Sequence, residues 1–170
     1  MRLGLCGGFM RRILVVILTK FATLAPPLAH AQNAGERAYY RGDYARSAAL
    51  LIAEARAGRP TAQSFLGYQF QYGLGVPKNF NQAAYWFGRA AEQGEPSAQF
   101  FLGLLYDRGR GSPELPSEAE KWLDLAAAQA PRDKREYWSS MRDIVAAKMT
   151  LAELSETRRR AGAWSPLRER

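Results

Sequence analysis

From residue 60 onward, apolar and small residues recur at helical spacing. Ala62, Phe65, Leu66 and Phe70 fall three and four residues apart, and Pro60 stands where a helix begins. Gly73-Leu74-Gly75 ends that helix and Pro77 prevents its resumption. Asn79 then caps a second helix, whose apolar stripe is Phe80, Ala83, Trp86, Phe87, Ala90 and Ala91 and whose end is Gln93-Gly94. The pattern predicts helix, loop, helix.

The same pattern returns at an offset of 36 residues. Between 60–95 and 96–131 fourteen positions are identical, among them Gln63/Gln99, Phe65/Phe101, Gly67/Gly103, Gly75/Gly111, Trp86/Trp122 and Gln93/Gln129. Gly67 costs roughly 1 kcal/mol in mid-helix, so its recurrence at Gly103 predicts close approach of a neighbouring helix. Ser117 with Glu120 reads as a capping box for the second helix of this unit. Residues 33–59 form a shorter, divergent unit: a helix over Ala34 to Tyr40, a turn and cap at Gly42-Asp43, and a helix marked by Tyr44, Ala48, Leu51, Ile52 and Ala55. Residues 133–149 predict a further helix with Tyr137, Met141, Ile144, Val145 and Lys148 on one face. Thr150 with Glu153 is a second capping box, leading a last helix to about Gly162. The fold class expected is all-α: a solenoid of about three helix-pair repeats, 32–131, closed by capping helices over 132–165, with a charged tail at 166–170.

The N-terminus follows a different pattern. Arg11-Arg12 precede the apolar run Ile13 to Leu18, and Ala29-His30-Ala31 supplies small residues where signal peptidase reads. The expectation is a signal peptide over 1–31, cut between Ala31 and Gln32, with Met10 a possible translation start. An uncleaved anchor is the alternative. Lys20 and Pro26-Pro27 interrupt the apolar stretch, so no uninterrupted run reaches the roughly 20 residues of a spanning helix.

That segment changes the charge and the chemistry. Of the 24 basic residues, Arg2, Arg11, Arg12 and Lys20 lie within it with no acid, leaving 20 against 16 and lowering the net charge from +8 to +4. Nucleic acid is therefore disfavoured as a partner. The single Cys and the single His, Cys6 and His30, also lie there. A mature chain without either has no disulfide, no Cys or His zinc ligand, no Cys nucleophile and no His-based triad. No Gly-rich phosphate loop is credible, since Gly73-Leu74-Gly75 joins two helices and follows no strand. Glu118/Glu120 and Glu153/Glu156 read as acids of first helical turns, not as acid–base pairs. Trp86, Trp122, Trp138 and Trp164 read as core or capping anchors.

The segments AQSFLGYQFQYGLGVPKNFNQAAYWFGRAAEQG (62–94) and AQFFLGLLYDRGRGSPELPSEAEKWLDLAAAQA (98–130) resemble the Sel-one-like repeat family, a relative of the tetratricopeptide repeat. Phe70, Ser112 and Ala130 depart from that family's Tyr, Val and Gly. The ending at 142–164 is similar to the tail of exported bacterial members. The resemblance implies a right-handed α/α superhelix that serves as a scaffold in protein complexes, without a cofactor. Cysteine-rich relatives described as β-lactamase-like hold paired Cys in their repeats, and that part of the resemblance does not carry over.

In such a solenoid the first helix of each pair lines a concave face. The stripe that faces it here is Thr61, Ser64, Tyr68, Gln71 and Tyr72, with Ser97, Phe100, Leu104, Asp107 and Arg108 as counterparts in the next unit. A tetratricopeptide-style alignment adds Glu36, Tyr39 and Tyr40 from the first unit. Phe65, Leu66 and Phe70 are expected in the core. The expected site is a Tyr-rich groove for a peptide or partner protein, because Tyr offers a large, rigid contact area with a polar tip. Two other functions compete: a hydrolase acting on cell-wall material, which a cleft with a perturbed carboxylate would favour, and a structural factor anchored in the envelope. Arg158-Arg159-Arg160, with Arg168 and Arg170, form a basic end that suits a helix C-terminus or, alternatively, an anionic lipid or polymer.

Overall fold

The computed structural model describes residues 33–111 and 113–167. The expected signal segment, Ser112, Arg168 and Arg170 lie outside the described residues. Eight helices follow one another: α1 Ala34–Tyr40, α2 Tyr44–Arg56, α3 Pro60–Tyr72, α4 Phe80–Glu92, α5 Pro96–Asp107, α6 Pro116–Ala128, α7 Arg135–Ala146 and α8 Leu151–Gly162. There is no strand among the described residues, and each of α1 to α6 packs on the helix that follows it.

Local chemistry sets most of these boundaries. The side chains of Asn33, Asp43 and Asn79 accept hydrogen bonds from backbone N–H groups in the first turns of α1, α2 and α4. Pro60, Pro96 and Pro116 occupy first-turn positions, where the missing N–H costs nothing. Thr150 and Glu153 close a reciprocal capping box on α8. The box expected from Ser117 and Glu120 does not form. Pro116 moves the start of α6 so that Leu115 is its cap, and Glu120 points into the interior, fully buried.

The seam between repeats is made twice from the same parts. The Gln63 amide donates to the carbonyl of Ala55 and accepts from the Gln93 amide, at 3.0 and 2.8 Å. At the next step Gln99 donates to Ala91 and accepts from Gln129, at 3.2 and 3.4 Å. Gln63 and Gln99 are fully buried, so each bond is made away from competing water. Gly67 lets Phe87 approach: a Cβ there would stand 2.6 Å from the ring. Gly103 does the same for Leu123, at 2.7 Å. Gly75 and Gly111, at φ +71 and +76, lay the interhelix loop directly against the backbone of Tyr44 and of Phe80 respectively.

The core follows the helices as three linked clusters centred on Leu51, Leu66 and Trp86, on Phe87, Leu102 and Trp122, and on Phe100, Leu123 and Trp138. The first unit is a true but shortened copy. Gly35 receives Leu51 as Gly67 receives Phe87, with a briefer loop between its helices.

The C-terminal helices close the stack in two ways. Helix α7 continues it, with Trp138 stacked on Phe100 of α5 at 4.8 Å. Its buried residues are Trp138 and Val145, whereas Tyr137 and Ile144, read at helical spacing with Val145, are exposed. The Trp138 ring claims the contact with α5 and rotates the helix by about one position. Helix α8 folds back on α6. Arg158 pairs there with buried Glu120, Arg160 pairs with Glu118, and Arg159 pairs with Glu156 along its own helix. The three arginines of the expected basic end are therefore committed within the chain. Beyond α8, Trp164 packs edge-on against Trp122 and the Leu167 N–H donates to the Glu92 carbonyl at 2.7 Å.

Candidate concave binding surface

Helices α1, α3, α5 and α7 present one face, and two hollows lie along it. The first, of about 340 Å³, is bounded by Tyr39 and Tyr40 of α1, by Ser64, Phe65 and Tyr68 of α3, and by Ser97 and Phe101 of α5. The second, of about 430 Å³, is bounded by Gln71 and Tyr72 of α3, by Phe100, Leu104 and Arg108 of α5, and by Tyr137 and Trp138 of α7. Ser97, Phe101 and Lys134 border both, so the two form one trough with Lys134 at its waist.

Its walls are aromatic and interlocked. Tyr39 meets Tyr40, Tyr44, Phe65 and Tyr68 edge-on, with ring centres 5.0 to 6.1 Å apart. Tyr68 lies against Tyr72 at 4.5 Å and Phe101 at 5.3 Å. Edge-to-face contacts of this kind add about 0.5–1.5 kcal/mol each beyond burial. Burial, reinforced by the neighbouring phenols, pushes the Tyr39 hydroxyl up to about 12. Burial raises Tyr68 as well. Both phenols stay protonated through the physiological range, and the Tyr39 hydroxyl donates to that of Tyr68.

The residues expected from sequence divide into three groups. Tyr39, Tyr40, Ser64, Tyr68, Gln71, Tyr72, Leu104 and Arg108 border the trough. Tyr40 and Tyr72 are the open rings of this group, 65% and 51% exposed. Phe100 borders it too, but is only 3% exposed and serves as the base on which Trp138 stacks. Glu36 and Asp107 are engaged beside it. Glu36 accepts from Asn33 at 3.1 Å, and Asp107 holds Lys148 at 2.6 Å, tying α5 to the α7–α8 turn.

Five bordering residues fell outside the expected set: Phe65, Phe101, Lys134, Tyr137 and Trp138. Phe65, expected in the core, is half-buried and turns toward Tyr39 and Tyr40, because the small Gly35 and Ala38 of α1 take the inner positions. Tyr137 follows Phe101 by the same 36 residues that separate Phe101 from Phe65. Extending the repeat one step further would have found it.

One carboxylate near the trough is perturbed. Burial raises Glu95, against the opposing pull of its hydrogen bonds and of Lys134. Its carboxylate caps α5, accepting from the Ala98 N–H at 2.6 Å, from the Ser97 N–H and from the Ser64 hydroxyl. Neither hollow is bordered by an acidic residue. The paired carboxylates of a glycoside-type site are thus not assembled there. Among the described residues no group of three or more His, Cys, Asp or Glu could hold a metal ion.

The Sel1 repeat family model matches residues 60–95 and 96–131. Residues 60–131 thus match as two consecutive Sel1 repeats. Solved structures agree on the fold. A protective antigen present in uropathogenic Escherichia coli strains, with an SLR fold, superposes with a TM-score of 0.68 at 28% identity over 76% of this chain. A Sel1 repeat protein from Oxalobacter formigenes superposes with a TM-score of 0.53 at 40% identity over 56% of this chain. The chain spans only 28% and 39% of those two structures. No curated protein matches it. Sel1-repeat proteins are generally protein–protein interaction scaffolds and are typically non-catalytic.

Proposed function

We propose that this protein is an exported, non-catalytic scaffold that binds a partner protein on its concave face. The observation that carries the reading is the trough itself: a continuous aromatic surface whose Tyr40, Tyr72 and Tyr137 rings are 65%, 51% and 56% exposed. Rings that only filled a core would be covered. Large aromatic surface left open on a small domain favours a partner, since burying it contributes binding free energy at little conformational cost. Export rests on the Arg11-Arg12, apolar and Ala29-His30-Ala31 sequence, and places the mature protein in the periplasm or outside the cell.

Crosslinked affinity capture from cell envelopes tests the binding face. The bait is the purified protein, beside a Tyr40/Tyr72/Tyr137→Ala version. These three rings are chosen because they are exposed, and circular dichroism should report an unchanged fold. A partner captured by the parent and lost with the variant supports the concave face. The same partner captured by both moves the site elsewhere. Intact mass of the protein recovered from cells tests export: loss of residues 1–31 is expected, and retention of 10–31 favours an envelope anchor.

A further inference from the structure

The charge along the trough identifies what it binds more closely than its aromatic walls do. Lys134 stands where the two hollows meet, and Arg108 borders the second of them. Neither makes an ion pair among the described residues. Every nearby carboxylate is committed: Glu36 to Asn33, Asp107 to Lys148, and Glu95 to the first turn of α5. Lys134 has its ammonium 6.0 Å from the centre of the Trp138 ring and feels Glu95 only at a distance, without forming an ion pair with it. The trough thus combines aromatic walls and two cations without salt-bridge partners. Apolar walls exclude water and strengthen a charge pair formed between them.

We infer that the trough takes an extended, acidic peptide segment, with a carboxylate at Lys134 and apolar side chains in the hollows on either side. This rests on the concave-face reading above. Two features favour a peptide over a polyanion. The two hollows carry only two cations, Lys134 where they meet and Arg108 in the second, whereas binding a nucleic acid or charged polymer requires a row of cations along a backbone. Among the described residues of the basic end, Arg158, Arg159 and Arg160 are paired with Glu120, Glu156 and Glu118.

The probe is a phage-displayed library of random twelve-residue peptides, selected on the purified protein and, separately, on its K134E and Tyr40/Tyr72/Tyr137→Ala variants. Lys134 is exposed, so K134E should keep the parent melting temperature. The parent is expected to enrich peptides with acidic residues flanked by apolar ones. Changing the selected acid to its amide should weaken binding roughly tenfold at low salt, with a smaller loss at high salt, where such pairs are screened. K134E should lose those peptides and enrich basic ones. Neutral or basic peptides that the tyrosine variant loses but K134E keeps would overturn the acidic-segment inference and leave the concave face standing. Peptides retained by the tyrosine variant, or no enrichment on the parent, would overturn both.

Discussion

Along the seam between repeats, Gln63, Gly67 and Gly75 are followed by Gln99, Gly103 and Gly111, which do the same work against the same kinds of neighbour. Along the trough, Ser64, Tyr68, Gln71 and Tyr72 are followed by Phe100, Leu104, Asp107 and Arg108, none of them the same, and only the Phe65/Phe101 pair is repeated. Gln63, Gly67, Gln99 and Gly103 lie on the same two helices as the trough residues, next to them in sequence, and Gly75 and Gly111 in the loops that follow. Positions that must reproduce one helix-to-helix geometry tolerate few side chains. Positions that face away from that geometry are left to diversify. Within this one chain, identity between repeats marks the frame, and the candidate recognition surface is the face that diverges around the constant Phe65/Phe101 pair.

The comparison is broken most severely at the loop glycines. Gly75→Ala meets both a left-handed backbone and the main chain of Tyr44, and should cost about 2–5 kcal/mol in urea unfolding. Gly42→Ala is the control: its φ is +80 but its surroundings are open, so only the conformational cost of about 1–2 kcal/mol remains. Equal losses in the two variants would show that close approach contributes nothing.

Next in size is the buried glutamine. Gln63→Leu leaves the Ala55 carbonyl without its donor and should cost ~1–3 kcal/mol; Gln99→Leu should cost a similar amount through Ala91. A large difference between the two would contradict the equivalence of the seams. Arg158→Ala strips the partner from a buried carboxylate, and about 1–3 kcal/mol is expected, with α8 losing amide protection first in hydrogen exchange.

On the trough side the effects on stability are small. Tyr39 is raised in the folded state from 10.0 to about 12, so the neutral phenol is favoured by folding. Its contribution is complete below pH 10 and is lost as pH rises toward 12. Tyr39→Phe should flatten the alkaline fall in stability over that window and leave neutral pH nearly unchanged. Smallest of all, Tyr72→Ala should shift stability by no more than ~0.5 kcal/mol. Partner binding measured on the same sample should fall by about tenfold or more.

Legibility in the sequence follows the same division. The helix pairs, the Asn79 and Thr150 caps and the role of Gly67 could be read because each rests on local spacing or on a residue seen twice. The shortened first unit was placed correctly enough to bring Tyr39 and Tyr40 beside Tyr68. The buried glutamines were visible as identical pairs, but their bonds cross between helices, and polar residues on a helix ordinarily face solvent. Glu120 misled for a related reason: three residues after Ser117 it mimics a capping box, while its partner Arg158 lies 38 residues away. Lys134 and Tyr137 were missed because α7 carries the repeat's register without its signature residues.

The central claim is that the non-repeating face is the one that binds. Hydrogen–deuterium exchange of the protein, alone and saturated with the partner it captures, tests this directly. Slowed exchange is expected in α1, α3 and α5 and around Lys134 at the start of α7, with α2, α4 and α6 unchanged. Protection confined to α2, α4, α6 or α8 would contradict the account.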